Sequence, residues 1–214
     1  MRVIAGTFRS RQILAPRGTA TRPTSDRLRE RLFDILQVRI AGCRFVDLYA
    51  GTGAVGIEAL SRGASHVWFA ENADLALASL RANLSALKIA RSYTLEDRGT
   101  VAMLQRLAKL PAPVDLVYLD PPYDAEAEYA GTLNFLGSLR GRQILAPDAV
   151  VIVEHSSKAK LAGRYGALEN YRLLKQGDAA LSFFRLPTAG IETTSEDAPQ
   201  ETRHPDAAPS ADQP

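Results

Sequence analysis

The four residues Asp120-Pro121-Pro122-Tyr123 follow a mostly apolar run, residues 114–119, that predicts a buried strand. Each proline fixes its own φ and restricts the residue before it, so the backbone leaving this strand is stiff. The Asp120 carboxylate and the nearby carbonyl groups accept hydrogen bonds, and the Tyr123 ring is flat. Two acceptors beside an aromatic face suit a planar ring that carries an exocyclic NH2 group, such as a nucleobase. A plain turn after a strand is the alternative, and the tetrapeptide alone does not decide between them.

A second motif, DLYAGTGAVG, occupies residues 47–56. Its glycines at 51, 53 and 56 satisfy the pattern G-x-G-x-x-G between a predicted strand and a predicted helix. Such a loop lets a ligand approach the backbone at a helix N-terminus. Glu71, at the end of the next strand, is placed to bind a ribose diol. The motif therefore predicts a cofactor that contains ribose, and either NAD or S-adenosylmethionine satisfies it.

Two acids favour S-adenosylmethionine. Asp47 lies inside the first strand, where it can hold the amino group of a methionine moiety and would repel a pyrophosphate. Asp97 follows the third predicted strand and can accept a hydrogen bond from the adenine amine, although capping of the next helix is an alternative role. The residues predicted to bind the cofactor are Asp47, Tyr49, Ala50, Gly51, Thr52, Gly53, Gly56, Glu71, Asn72 and Asp97.

Strands and helices alternate from residue 44 to residue 187, which predicts an α/β fold with helices on both faces of a mostly parallel sheet. Five strands are expected at 45–48, 66–70, 93–96, 116–119 and 150–154. The helices between and after them are expected near 54–61, 73–87, 101–109 and 125–139. Strands at 171–175 and 180–186 flank a turn, so the last strand should run antiparallel to the others.

Charge divides the chain into three regions, 1–43, 44–187 and 188–214. Ten arginines and three acids give residues 1–44 a net charge of +7, on a predicted hairpin at 1–18 and a helix that opens at 23–26. Such a basic head suggests polyanion binding, with a solvated and idle basic face as the alternative. Residues 188–214 carry a net charge of −5 and few large apolar side chains, which predicts a disordered acidic tail.

Several classes of protein are disfavoured by composition. Cys43 is the only cysteine, so an intramolecular disulfide and a cysteine-based zinc site are excluded, and we expect a small buried thiol. No apolar run reaches the length of a membrane span, and the first residues lack the apolar core of a signal peptide. These features predict a cytoplasmic protein that needs neither a membrane nor a metal.

Taken together, these motifs resemble the class I S-adenosylmethionine-dependent methyltransferases that modify amino groups. More specifically, RPTSDRLRE at 22–30, GIEALSRGA at 56–64 and the opening MRVIAG resemble the RsmD family of 16S rRNA guanine-N2 methyltransferases. The resemblance covers about residues 1–187 and leaves the acidic tail outside it. It implies a Rossmann-like fold whose seven-stranded sheet has the order 3-2-1-4-5-7-6, with the last strand antiparallel.

The resemblance also implies roles. S-adenosyl-L-methionine would be the cofactor, and 16S rRNA, within small-subunit ribosomal particles, would be the partner of a monomeric enzyme. Asp120 and the Pro121 carbonyl would accept hydrogen bonds from the guanine amine, with Tyr123 stacked on a base that has left its helix. The implied catalytic residues are Asp120, Pro121, Pro122 and Tyr123. The implied substrate-binding residues are Arg22, Pro23, Thr24, Arg27 and Arg29, for which helix capping alone is the alternative.

Other functions remain open at this point. The tetrapeptide would also suit methylation of DNA adenine N6 or of protein glutamine. A NAD-binding Rossmann oxidoreductase would explain the glycines but would leave the tetrapeptide and the basic head unused. A non-catalytic RNA-binding protein would have no need of the cofactor acids.

Overall fold

The computed structural model describes residues 1–15, 26–122 and 126–187. Within these ranges the helices are α1 Asp26–Ile35, α2 Gln37–Ile40, α3 Ala54–Ser61, α4 Asp74–Ala86, α5 Thr100–Leu107 and α6 Glu126–Leu136, with a 3-10 helix at Gly141–Ile144. The strands are β1 Arg44–Leu48, β2 His66–Ala70, β3 Tyr93–Glu96, β4 Val114–Leu119, β5 Leu145–Ser156, β6 Arg164–Tyr165, β7 Leu168–Gln176 and β8 Ala179–Arg185.

These strands form one sheet in the order β3-β2-β1-β4-β5-β8-β7-β6. Strands β1 to β5 are mutually parallel, and β8 pairs antiparallel with β5. The predicted α/β class and strand order are confirmed, but the sheet has eight strands rather than seven. The additional strand, β6, is two residues long and pairs with the beginning of β7, which is too short for alternating hydrophobicity to reveal.

Strand order reverses between β1 and β4, which places a crevice at their carboxyl ends. Strands β2 and β3 lie on one side of β1 in the sheet, whereas β4 and β5 lie on its other side. In open α/β sheets, ligands bind in the crevice outside the carboxyl ends of the strands at such a reversal. The glycine loop follows β1 and the Asp-Pro-Pro turn follows β4, so the fold brings the two motifs together.

Two hydrophobic clusters cover the two faces of the sheet. One contains Phe45, Ile57, Leu80 and Leu116, and the other contains Val117, Leu133 and further residues of α5 and α6. The N-terminal region belongs to the first cluster through Val3, Ile13, Leu28, Leu32, Phe33 and Leu36, all buried. Residues on both sides of position 43 therefore share one hydrophobic core. The predicted boundary at residue 43 marks a change in charge and does not separate two cores.

The predicted N-terminal hairpin forms over residues 1–15. Arg2 and Gln12 make an antiparallel bridge, and the Val3 N–H donates to the Arg11 carbonyl at 2.9 Å. Helix α1 buries Leu28, Arg29, Leu32 and Phe33. Most of the predicted opening of this helix at 23–26, and the predicted acidic tail at 188–214, lie outside the described residues.

Glu58 of α3 attaches the hairpin to the rest of the protein. Its buried carboxylate accepts hydrogen bonds from the backbone N–H groups of Ile4 at 2.7 Å and Ala5 at 3.0 Å. The Arg62 Nε lies 2.7 Å from one carboxylate oxygen, and the Arg29 Nε lies 3.9 Å from the other. Two sequence strings far apart in the chain, 22–30 and 56–64, thus meet in one buried charge cluster.

Gly6 allows the hairpin to approach α3 closely. Its φ is +81°, and a Cβ atom placed there would lie 1.8 Å from the Ser61 carbonyl oxygen. The Ser61 hydroxyl accepts a hydrogen bond from the Phe8 N–H at 2.9 Å and donates to the Ala5 carbonyl. A side chain at position 6 would force the hairpin away from these partners.

Candidate active site

A cavity of about 1710 Å³ opens at the carboxyl ends of the parallel strands. It is bordered by the glycine loop after β1, the turn after β2, the first turns of α5 and the turn after β4. The predicted site residues that line it are Asp47, Tyr49, Ala50, Gly51, Thr52, Glu71, Asn72, Asp120, Pro121 and Pro122. Both groups of predicted residues, for the cofactor and for the target amine, therefore border one cavity.

The glycine loop is held by β2 and by Glu71. The N–H groups of Tyr49 and Ala50 both donate to the Ala70 carbonyl, at 3.1 and 2.9 Å. One Glu71 oxygen accepts the Gly51 N–H at 2.8 Å, and the other accepts the Asn72 N–H at 2.8 Å. Tyr49 has φ +98°, a value that is uncommon for a residue with a side chain and is kept only where neighbours enforce it. Glu71 thus shapes the loop as well as bordering the cavity.

Gly53 and Gly56 serve packing, and their predicted contact with the cofactor stays a prediction. Neither is among the described residues that line the cavity. A Cβ atom on Gly56 would lie 2.2 Å from the Phe69 ring, and one on Gly53 would lie 2.3 Å from Leu80 Cδ1. These glycines let α3 approach β2 and α4, because any side chain would occupy the space of a core residue.

Asn83 of α4 supports the glycine loop, a role that the motifs did not reveal. It is 1% exposed, and its amide group donates to the carbonyls of Thr52 and Leu14, both at 3.0 Å. Its side-chain oxygen accepts the Leu14 N–H at 2.8 Å. Asn83 therefore joins the N-terminal hairpin to the glycine loop. The available signal was a polar residue on the apolar face of a predicted helix.

Asp47 is buried and lines the cavity. Its carboxylate accepts the Gly56 N–H at 2.9 Å. Burial raises the pKa of Asp47 to about 7, the Gly56 hydrogen bond opposes this rise, and the nearby Glu71 charge adds to it. A buried carboxyl group poised near neutrality gains from a cationic ligand, since a positive charge beside it favours its ionised form.

Replacement of Asp47 by asparagine should change how stability depends on pH. The folded carboxyl has its pKa at about 7, above the ordinary value of 3.8, so the folded state retains a proton that the unfolded state has lost. The stability of the ligand-free wild type should therefore fall as pH rises from 4 through 7. The asparagine side chain cannot ionise, so Asp47→Asn should melt at a higher temperature than the wild type at pH 8, with a smaller difference at pH 5. Thermal melts at the two values test this, and equal pH dependence of the two proteins would contradict it.

Asp97 is exposed and pairs with an arginine outside the cavity lining, so its predicted contact with adenine stays a prediction. Its exposed carboxylate pairs with the Arg81 guanidinium at 3.1 Å, and it is not among the described residues that line the cavity. Arg98, the next residue, borders the cavity instead, and its Nε lies 2.7 Å from a Glu96 oxygen. The hydrogen bonds from Arg98 and then Arg106 lower the pKa of Glu96 to about 2, with burial opposing them. Both acids at the end of β3 are thus engaged in ion pairs with arginines.

The Asp-Pro-Pro turn borders the cavity as predicted. Asp120 is partly exposed at the end of β4, Pro121 is buried and Pro122 is exposed. Tyr123 lies outside the described residues, so its predicted stacking role stays a prediction. The stiff turn places an acceptor group in the wall of the cavity that Asp47 also lines.

The predicted substrate-binding arginines differ in their surroundings. Arg29 is 0% exposed and pairs with Asp26 at 3.1 Å, so the expectation that it grips RNA is wrong. Its burial is possible because Glu58 lies beside it and the Arg2 carbonyl accepts from its Nη2. Arg27 is exposed on α1. The remaining predicted residues lie outside the described part of the chain: Arg22, Pro23 and Thr24.

The described residues also bear on other classes of site. Cys43 is buried, and burial raises the pKa of its thiol to about 12, with the Asp115 charge adding to the rise, as befits a packing residue. In the described ranges, no group of three or more His, Cys, Asp and Glu side chains could hold a metal ion. No helix among them is both long and apolar enough to span a membrane.

Comparison with known proteins identifies relatives over most of the chain. The family model described as Conserved hypothetical protein 95 matches residues 1–185. Ribosomal RNA small subunit methyltransferase D of Haemophilus influenzae is 32% identical over 188 residues, covering 87% of this chain and 92% of that protein. The Escherichia coli K12 protein of the same name is 32% identical over 154 residues, covering 72% and 74%.

Solved structures have the same fold. One from Escherichia coli is 30% identical, with a TM-score of 0.73 over 88% of this chain and 99% of its own. A hypothetical protein of Thermus thermophilus is 23% identical, with a TM-score of 0.72 over 87% and 99%, and supports the fold alone. The overall fold of this chain is thus found in other chains of similar length.

Proposed function

The chain belongs to the family described as Conserved hypothetical protein 95, and from this premise we propose that it transfers a methyl group from S-adenosyl-L-methionine to the exocyclic N2 of a guanine in 16S rRNA. The relatives named ribosomal RNA small subunit methyltransferase D support the reaction class and the RNA substrate. The RsmD resemblance of the motifs supports guanine N2 as the target atom.

One observation carries the proposal: a single cavity joins Asp47 and Glu71 to Asp120 and Pro121. A pocket for one small molecule usually has a volume of about 300–1,000 Å³. At about 1710 Å³, this cavity has room for a cofactor and a nucleobase together. Methyl transfer needs both at once, because the accepting nitrogen must lie in line with the methyl carbon.

The residues of the cavity fit S-adenosylmethionine. Asp47 would pair with the ammonium group of the methionine moiety, which agrees with a carboxyl group whose pKa near 7 falls when a cation binds. Glu71 would accept hydrogen bonds from the ribose hydroxyls, while its contacts with the loop keep it in place. Arg98 and Asn72 border the part of the cavity next to α5, where a planar adenine would lie. When bound, the cofactor supplies an electrophilic methyl group.

Asp120 and Pro121 would act on the target amine. The lone pair of guanine N2 is delocalised into the ring, which makes the nitrogen a weak nucleophile. The Asp120 carboxylate and the Pro121 carbonyl would accept its two N–H groups and so aim the lone pair into the cavity. The carboxylate would also stabilise the positive charge that develops on nitrogen as the bond to carbon forms. Because Asp120 would accept a hydrogen bond from that nitrogen, it is the group best placed to take its proton.

The RNA would lie across the exposed arginines of the head. Among the described residues of the head, the exposed arginines are Arg2, Arg9, Arg11, Arg27 and Arg31. Met1 of the same region borders the cavity, so an RNA strand bound by the head can reach the target site. We propose a monomer that acts on rRNA in small-subunit particles of the cytoplasm, where a phosphate-binding face would position the extruded base.

Replacement of both Arg27 and Arg31 by alanine should weaken RNA binding and flatten its salt dependence. Each lost phosphate contact should reduce the log–log slope by about 0.7–0.9, and cofactor affinity should not change. Filter binding at several salt concentrations measures the slope. The control is Arg164→Ala on β6, at the far edge of the sheet, which should leave the slope unchanged. An unaltered slope in the folded double variant would show that these two arginines do not contact the RNA.

The reaction itself is tested by incubating the protein with methyl-labelled cofactor and three substrates: naked 16S rRNA, small-subunit particles and duplex DNA. Nucleoside analysis should find N2-methylguanosine in one of the RNA samples. Label in DNA as N6-methyladenine, or binding of NADH in place of S-adenosylmethionine, would overturn the proposal.

A further inference from the structure

A buried phenol and a buried carboxylate lie next to each other on strands β4 and β5. Tyr118 of β4 is 1% exposed and Glu154 of β5 is 3% exposed. The Tyr118 hydroxyl donates a hydrogen bond to Glu154 Oε2. Tyr118 also lines the cavity, whereas Glu154 is not among the described residues that do. The carboxylate therefore does not border the cavity itself, but it binds a side chain that does.

The register of the sheet fixes where this pair lies. Tyr118 is directly opposite Asp47 of β1 and Ile152 of β5. Paired residues of neighbouring strands project from the same face of a sheet, and so do residues two apart along one strand. Asp47, Tyr118 and Glu154 consequently share one face, and Asp120 continues the same alternation past the end of β4. Tyr118 thus lies beside Asp47 across the sheet and two residues before Asp120 along β4, while its hydroxyl reaches Glu154 on β5.

The hydrogen bond between Tyr118 and Glu154 is suited to holding the phenol in one orientation. A carboxylate that accepts from a hydroxyl forms a stronger hydrogen bond than two neutral groups do. Both groups are buried, so water does not compete for either end of the bond. Glu154 lies on a strand paired on both sides, by β4 and by β8, which fixes the backbone that carries it. The carboxylate is therefore a rigid anchor for a side chain that forms part of the cavity wall.

We propose that Glu154 and Tyr118 form a positioning pair for methyl transfer. The carboxylate fixes the orientation of the phenol, and the phenol forms part of the cavity wall near Asp47 and Asp120, so that the two reactants meet in line. This inference rests on the proposed function, which assigns Asp47 to the methionine moiety and Asp120 to the target amine. A small displacement of reacting atoms costs much more in turnover than in binding.

Kinetics of Tyr118→Phe test the pair directly. The variant keeps the ring and loses the hydrogen bond, so kcat should fall by about tenfold or more while the Kd for S-adenosylmethionine stays within about twofold. Glu154→Gln retains an oxygen that accepts the phenol hydrogen bond and should keep most of the turnover. Glu154→Leu should lose as much turnover as Tyr118→Phe.

Two further variants separate positioning from stability. Tyr118→Phe/Glu154→Leu removes both ends of the hydrogen bond together, so its melting temperature should recover toward the wild-type value while kcat stays low. Tyr165→Phe removes another buried phenol hydroxyl, one that accepts the Ala162 N–H, from β6 at the sheet edge, and should leave kcat unchanged.

The proposal is overturned if Tyr118→Phe keeps wild-type kcat, if the double variant recovers turnover together with stability, or if Glu154→Gln is as slow as Glu154→Leu. Wild-type methylation of rRNA tests the proposed function by itself, and only ratios between variants and wild type test the pair. A wild type without activity would thus refute the function, whereas a fully active Tyr118→Phe would refute this inference alone.

Discussion

Replacement of Asp120 by alanine is expected to lower kcat by about a hundredfold to a thousandfold, the effect typical of removing one group that stabilises charge in a transition state. Asp120 lies at the end of β4 beside the cavity, with the stiff Pro121-Pro122 backbone after it. Its carboxylate would both orient the amine and stabilise the charge that forms on nitrogen. Either loss alone would slow the transfer, and alanine removes both.

Asparagine at the same position divides the two contributions. Its side-chain oxygen still accepts a hydrogen bond, but it carries no charge and cannot take a proton. Asp120→Asn should therefore fall between the wild type and Asp120→Ala in turnover. In both variants the Kd for S-adenosylmethionine should stay within about twofold of the wild type, because the partner of Asp120 is the base and interactions made only in the transition state change kcat.

Single-turnover methylation of 16S rRNA and calorimetry with the cofactor measure these quantities. The matched control is Asp115→Asn, an acid at the opposite end of the same strand, whose carboxylate accepts the Arg44 N–H at 2.7 Å. That variant should keep its turnover. Near wild-type turnover in folded Asp120→Ala would remove the tetrapeptide from the chemistry.

The sequence predicted the elements that are bounded by clear turn signals. Helix α3 at Ala54–Ser61 and the strands His66–Ala70 and Tyr93–Glu96 have the predicted bounds. Strand β5 begins at Leu145, five residues before the predicted start. Pro147 and Asp148 are exposed there and interrupt the apolar pattern, and the pairing with β4 shifts register between Val114 and Leu116. A bulge of this kind depends on the neighbouring strand, which local sequence does not encode.

The part of the site that follows a fixed spacing along the sequence was predictable. The strand, the glycines and the acid at 71 occupy a fixed spacing, so Gly51 and Glu71 could be assigned to the cavity from spacing alone. Arg29 and Asp97 could not be placed in this way. A charged side chain is expected to be exposed, and Asp97 is exposed, but the ion-pair partner of each residue could not be read from local sequence. Asp97 pairs with Arg81, and Glu58 allows Arg29 to be buried.

Replacement of Glu58 by alanine should cause the largest loss of stability that we predict. The side chain is 0% exposed and serves two backbone N–H groups of the hairpin as well as the Arg62 guanidinium. Removing one partner from a buried ionic cluster typically costs about 3–5 kcal/mol, because the remaining charge stays buried without compensation. Arg29 would keep its pair with the partly exposed Asp26 but would lose the buried carboxylate beside its Nε, which has no hydrogen-bond partner among the described residues even in the wild type.

Urea or thermal unfolding of the purified protein measures the change in free energy. In a domain of 150–250 residues, each kcal/mol shifts the melting temperature by about 2–4 °C, so a drop on the order of 10 °C is expected. Arg164→Ala, which breaks the exposed pair with Glu169, is the control and should cost less than about 1 kcal/mol. If Glu58→Ala melts within about 2–3 °C of the wild type, which would correspond to about 1 kcal/mol, the cluster does not hold the hairpin.

Arg29→Ala distinguishes a buried structural arginine from one that grips RNA. Loss of the guanidinium removes the bonds to Asp26 and to the Arg2 carbonyl, whereas Glu58 keeps Arg62 as its ionic partner, so the variant should be destabilised by less than Glu58→Ala. Its RNA affinity, measured below its melting temperature, should keep the salt slope of the wild type, because a side chain at 0% exposure does not displace counterions from phosphates. Arg27→Ala/Arg31→Ala should behave in the opposite way, with a flatter slope and an almost unchanged melting temperature. A flattened slope in folded Arg29→Ala would mean that the cluster opens when RNA binds.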